Sequence, residues 1–302
     1  MIDVTYNPEL PPQISLQYLA EGAANIVYRF AMPPTSPSIA ADITPDDGDG
    51  SESTTPPPSE IDALRYDPVL HGKLLRLRKG LASTVSNEES FKRFQDVIRP
   101  LFPVENLVEQ VLVRLPSRLI ADCNRQLQLE EKSGVRPKKR RGVYLAADEP
   151  YGTLITDMSP NGDAGEILVE FKPKWLAQSL SAPPGSARCR TCALRVMKNR
   201  QRRGGPEDTS LSFCPLDLVS LDRARVDRAV TAICLSLKDA QSHHTKLRSR
   251  LAGFLYENPL LRRLQQLQLD LDRVGILEVD VTSRDFLTAM TLRDCTLFVK
   301  VR

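Results

Sequence analysis

The sequence predicts an α+β fold in two lobes. Three observations carry that prediction. Short segments with period-two alternation crowd the first half of the chain, amphipathic 3.6-residue periods crowd the second, and an acidic low-complexity stretch interrupts the strands without leaving either flank large enough to fold alone. At 302 residues, with 41% hydrophobic and 26% charged residues, the chain has the composition of a globular protein large enough for two cores.

The first strand-like segment, "ANIVYRF", sets Ile26, Tyr28 and Phe30 against Val27 and Arg29. The second, "GKLLRLRKG", sets Leu75 and Leu77 against Leu74, Arg76 and Arg78. Between them, residues 33–62 are rich in Pro, Ser, Thr and acid, lack Lys and Arg, and read as a disordered insertion between two strands of one sheet. "NEESFKRFQDVIRPLF" spaces Phe91, Phe94 and Ile98 helically and stops at Pro100. "VENLVEQVLVRLP" places Leu107, Val108, Val111, Leu112 and Leu115 as a second helix. "VYLAA" and "GTLITDM" read as further short strands.

In "EILVEFKPKW", Ile167, Val169 and Phe171 face one way and Glu170, Lys172 and Lys174 the other, with regular pairing ending at or before Pro173. Two helices follow: one stripes Val226, Ala229, Val230, Ile233 and Leu237, the other Leu260, Leu261, Leu264, Leu267 and Leu271. The chain closes on the strand-like "CTLFVKVR".

The net charge of +3 supports no global polycation, so any anion binding must come from local clusters. No apolar run is long enough to span a bilayer, and "MIDVTYNPEL" lacks the basic-then-apolar order of a secretory signal. The six cysteines therefore read as reduced thiols. Cys189 and Cys192 form a CxxC without a second pair at zinc spacing; Cys214 and Cys234 stand alone, and His243 and His244 lack a partner motif.

Four segments could carry chemistry. The Gly22 turn in "EGAANIVYRF" is either a plain hairpin or a place where backbone amides approach a phosphate. Arg76 and Arg78 belong to a solvated edge strand or hold phosphates. "ARCRTCALRVMKNRQRR" carries seven Arg and Lys residues without an acid, and on a helix Cys192, Arg195 and Lys198 fall on adjacent turns. Asp294 in "TLRDCTLFV" is a turn residue, a base or a metal ligand.

In order, "EGAANIVYR", "LLRLRK", "VEFKPKW", "CRTCALRVMK", "CPLDLVS" and "TLRDCTLFV" together resemble the inositol-pentakisphosphate 2-kinases, in particular their fungal members. The resemblance implies a two-lobed, ATP-grasping fold distantly similar to protein kinases. The N-lobe would span 1–158, with an antiparallel sheet and the insertion 33–62, and the C-lobe 159–302. It further implies transfer of the γ-phosphoryl of ATP, with Mg2+, to the 2-hydroxyl of inositol 1,3,4,5,6-pentakisphosphate, giving the hexakisphosphate.

Carried over by motif, Gly22, Ala23, Ala24, Asn25 and Arg76 match positions that hold ATP phosphates, and Glu170 matches the contact to the ribose. The adenine-receiving hinge falls at Thr156–Met158, with Asp157 at its centre. Lys172, Lys174 and Lys198 match inositol-phosphate ligands, Arg141 or its neighbour Arg140 matches a further phosphate ligand, and Asp294 matches the base on the 2-hydroxyl. The physics concurs: five phosphates carry roughly −8 to −10 charges, which only clustered Lys and Arg can neutralise while one hydroxyl is aligned with the γ-phosphate.

In the family, a D-x-D-L-K-like segment beyond the DC[ST] strand supplies the magnesium carboxylate. These 302 residues hold no counterpart, so the metal ligand is unassigned and a truncated, inactive binder of inositol phosphate or ATP is the alternative. A nucleic-acid-binding role through "RPKKRR" ranks lower, because aromatic residues do not interleave with the basic clusters. The expected setting is a monomer in the nucleus, with the cytoplasm second.

Overall fold

The computed structural model describes residues 8–31, 70–160, 166–201, 212–237 and 244–302. The acidic insertion, Arg202, Arg203 and His243 lie outside the described residues, as does the side chain of His244. The chain divides into two compact units, Met1–Asp157 and Met158–Arg302.

In the first unit, β1 (Leu16–Glu21), β2 (Asn25–Phe30), β3 (Lys73–Arg78), β4 (Gln110–Arg114) and β5 (Tyr151–Thr156) form an antiparallel sheet in the order β1-β2-β3-β5-β4. The strands that flank the insertion pair directly, Asn25 opposite Arg78 and Tyr28 opposite Leu75. Alternation sorts the faces: Ile26, Tyr28, Leu75, Leu77 and Leu154 are buried in one cluster. Onto them packs α2 (Leu119–Lys132) through Leu119, Ile120, Cys123 and Leu127. Gly152 lets this packing close, since a Cβ there would come within 2.9–3.0 Å of Leu115, Leu75 and Leu77.

Helix α1 (Asn87–Arg93) begins at Ser86, whose Oγ accepts from the Glu89 amide, and runs into a π-helical turn at Phe94–Ile98. Residues 104–115 are not the second helix that their apolar spacing predicts. A 3₁₀ turn at Val104–Asn106 leads into β4, where Val111 lies opposite Leu154 on β5. A short apolar run fits both periods, and the β-branched "VLV" pairs with an available sheet edge. "VYLAA" makes only an isolated bridge, Leu145 to Lys79.

In the second unit, β6 (Ile167–Phe171) pairs antiparallel with β7 (Leu297–Val301), burying Val169 and Phe171. Among the described residues five helices accompany it: α3 (Arg190–Gln201), α4 (Arg223–Leu235), α5 (His244–Glu257), α6 (Leu260–Asp270) and α7 (Arg284–Asp294). Beyond the two striped helices expected from the sequence, α5 buries Leu247, Leu251 and Leu255 and α7 buries Phe286, Ala289 and Leu292, helical periods that the sequence also carries. Val226, Ala229, Val230 and Ile233 of α4 are buried, as are Leu261, Leu264 and Leu267 of α6. Asp217 of the "PLDL" segment accepts from Nε and Nη2 of Arg225, both at 2.7 Å, tying the 3₁₀ turn Pro215–Val219 to α4. Among the described residues, no helix is long and apolar enough to cross a membrane.

Candidate functional site

Strand β6 stops at Phe171, before Pro173, and its exposed Glu170 faces outward while Val169 and Phe171 go to the core. Beyond it, Lys172 Nζ lies 3.2 Å from Asp294 Oδ1 and donates to the Asp294 carbonyl at 3.1 Å. Lys174 Nζ donates to the same Oδ1 at 2.6 Å. Two lysines and a carboxylate 120 or more positions further along thus meet in one ion cluster. Asp294 is the last residue of α7, so the short link to β7 holds it beside the end of β6.

The Lys174 hydrogen bond, opposed by partial burial and joined by Lys172, holds the Asp294 carboxyl below the usual carboxylate range. Its side chain remains 66% exposed, so the cluster faces solvent. Two cations on one carboxylate leave a positive site.

Strand alternation alone does not bring Lys174 there. It has φ 60, the only positive φ outside glycine among the described residues, a conformation costing about 1–2 kcal/mol for an L-residue. Trp175, next in sequence, is stacked by the guanidinium of Arg293 at 3.8 Å and that of Arg190 at 4.9 Å. Lys198 is exposed on α3 and lies outside the ion pairs to Asp294.

In the first unit, Gly22–Ala24 form the hairpin between β1 and β2, with the Gly22 amide donating to the Asn25 carbonyl at 2.9 Å. A buried ion cluster supports this hairpin. Lys79 Nζ donates to the Gly22 carbonyl at 2.8 Å and pairs with Glu21 at 2.5 Å, while Arg136 binds both Glu21 oxygens at 3.0 Å. Burial opposes ionisation of Glu21, but hydrogen bonds from Arg136 and Lys79 hold its carboxyl below the usual range. Arg136, the first residue of "RPKKRR", is therefore a core cation and not part of a solvated basic tract.

Arg78 is neutralised by Glu149 at 2.8 Å, whereas Arg76 bonds the Gln110 amide at 2.8 Å and, among the described residues, has no carboxylate partner. Arg141 donates to the carbonyls of Arg136 and Gly134, and Asp157 pairs with Arg29 at 3.5 Å. The carboxylate of Asp280 is committed to Thr282.

The cysteines correct the reading from spacing. Cys214 is not alone: its sulfur lies 3.6 Å from that of Cys189, and the sulfurs of Cys189, Cys192 and Cys214 all lie within 4.8 Å of one another. A hydrogen bond from Cys214 draws the Cys189 thiol down. This soft trio could hold a thiophilic ion, but its donors do not suit magnesium, which takes oxygen. It is the only group of three metal-ligating side chains among the described residues.

One unit thus carries an arginine without a carboxylate partner among the described residues and the other a lysine pair on one carboxylate, local cation excesses of the kind that suit an anionic ligand. A sequence profile of the inositol-pentakisphosphate 2-kinases matches residues 18–302, and the chain belongs to that family. It is 32% identical over 179 residues to the inositol-pentakisphosphate 2-kinase of Yarrowia lipolytica, a match covering 52% of this chain and 55% of that protein. It is 30% identical over 150 residues to the enzyme of the same name from Debaryomyces hansenii, covering 46% of this chain and 36% of that one.

Proposed function

We propose that this chain transfers the γ-phosphoryl of ATP to the 2-hydroxyl of inositol 1,3,4,5,6-pentakisphosphate. The observation that carries this reading is the convergence of Lys172 and Lys174 on Asp294. A ligand with five phosphates competes with one carboxylate for two ammonium groups, and its charge favours the exchange. As the lysines turn to phosphate, Asp294 loses the partners that depress its pKa and becomes a better proton acceptor.

The hydroxyl oxygen then bonds to the γ-phosphorus, the bond from that phosphorus to the bridging oxygen breaks, and ADP leaves. The hydroxyl proton passes to Asp294. On the nucleotide side, Arg76 is a strand cation without a carboxylate partner among the described residues, and the Gly22–Asn25 hairpin, braced by Lys79, offers backbone amides. Glu170 is assigned to the ribose, Asp157 to the adenine hinge, and Lys198 and Arg141 to outer phosphates. A monomer acting in the nucleus completes the reading.

The test supplies ATP labelled on the γ-phosphate and inositol pentakisphosphate to the purified protein. Label in the hexakisphosphate, lost in Asp294→Asn and weakened through substrate affinity in Lys172→Ala, is the expected result. Tight inositol-phosphate binding without turnover would instead establish a binder.

A further inference from the structure

Gln268 occupies a core position on α6 beside Leu261, Leu264 and Leu267, and is 1% exposed. A leucine would serve that stripe equally well, so a buried amide there calls for partners. It has them on one short segment. Its Nε2 donates to the Lys174 carbonyl at 2.9 Å, and its Oε1 accepts from the Leu176 amide at 2.9 Å. One turn earlier, Gln265 Nε2 donates to the Leu176 carbonyl at 2.9 Å.

The Gln268 backbone carbonyl in turn accepts from Arg293 Nη2 at 3.2 Å, and Arg293 Nη1 donates to Asp272 at 2.7 Å. Arg293 immediately precedes Asp294 and stacks on Trp175, so the same ring of contacts fixes both ends of the Lys174–Asp294 pair. Left-handed backbone at a lysine persists only where surrounding contacts over-determine it.

We propose that Gln268 is a positioning residue: it holds Lys174 in the left-handed conformation that carries its ammonium to Asp294, and so sets the site's affinity for polyphosphorylated inositol. The ligand named here rests on the proposed function; the hold on Lys174 does not.

The full chain is compared as wild type, Gln268→Ala, Gln268→Met, Lys174→Ala and the double variant Gln268→Ala/Lys174→Ala. The Asp294 carboxyl is titrated by carbon NMR without ligand, and inositol pentakisphosphate affinity is measured by calorimetry. Gln268→Met guards against misfolding, since it keeps the volume of a buried side chain but has neither the donor to Lys174 nor the acceptor for Leu176.

Both Gln268 variants are expected to move the Asp294 titration upward and to weaken the ligand about tenfold, a coupling typical of residues in contact. In the Lys174→Ala background, Gln268→Ala should cost no further affinity. An unmoved Asp294 titration, or an equal affinity loss in both backgrounds, overturns the proposal. A wild type that ignores inositol pentakisphosphate while Asp294 still shifts in the variants overturns the assigned ligand and retains the positioning role.

Discussion

Lys174→Gly separates the two things Lys174 does. Glycine adopts φ 60 freely, so the change removes a strain of about 1–2 kcal/mol. Against that stand the extra backbone freedom of glycine in the unfolded chain, about 0.5–1 kcal/mol, and a solvent-facing ion pair worth up to about 1 kcal/mol. The sum lies near zero, so the melting temperature should move by less than about 4 °C. Lys174→Ala removes the same ammonium but keeps the strain, and should melt lower than the glycine variant.

Ligand binding should not distinguish the two. Each loses one charge-assisted hydrogen bond, about 1.5–3 kcal/mol, or roughly ten- to hundredfold in affinity for inositol pentakisphosphate. Paired thermal melts and calorimetric titrations read both quantities. A glycine variant that melts well below the alanine variant would refute the strain assignment, and unchanged affinity in both would refute the role of the ammonium.

Lys79→Met leaves buried Glu21 one cation short and should cost about 3 kcal/mol in urea unfolding. Gly152→Ala forces a methyl group against three leucines and should destabilise by about 1–3 kcal/mol, read by the same unfolding curve. Asp294 has a folded pKa below its unfolded one, so its ion pairs stabilise above the ordinary aspartate pKa and are lost as pH falls through the folded value. Wild type should therefore lose up to about 1 kcal/mol on acidification that Asp294→Asn does not lose, measured as the difference in melting temperature between neutral and strongly acidic buffer.

Much of this molecule can be read along the chain where a side-chain period maps onto a buried face. Ile26, Tyr28, Leu75 and Leu77 alternate into the sheet core, and the stripes of α4 and α6 fall where their spacing puts them. The strand at 110–114 was hidden because its short apolar run, Val111 to Val113, satisfies either period, and only the edge offered by β5 decides between them. The third cysteine was hidden for a related reason. Cys214 is 22 residues beyond Cys192, and closure of that distance is a property of the fold and not of the spacing.

Charge was legible at the candidate site and conformation was not. Lysines at 172 and 174 look equivalent in sequence, two residues apart on an imagined strand face. In the fold the strand has ended, and the two reach one carboxylate by different backbone routes, only one of them strained. The signal that could have exposed this is the polar interruption of an apolar stripe: Gln268 directly after Leu267, with an arginine before Asp294. Neither residue need touch ligand to matter. A strained residue holding a mobile ammonium is useful only if its backbone cannot relax, and two amide hydrogen bonds from a buried glutamine supply that constraint. Binding can then exchange the lysines from carboxylate to phosphate without rebuilding the turn that presents them.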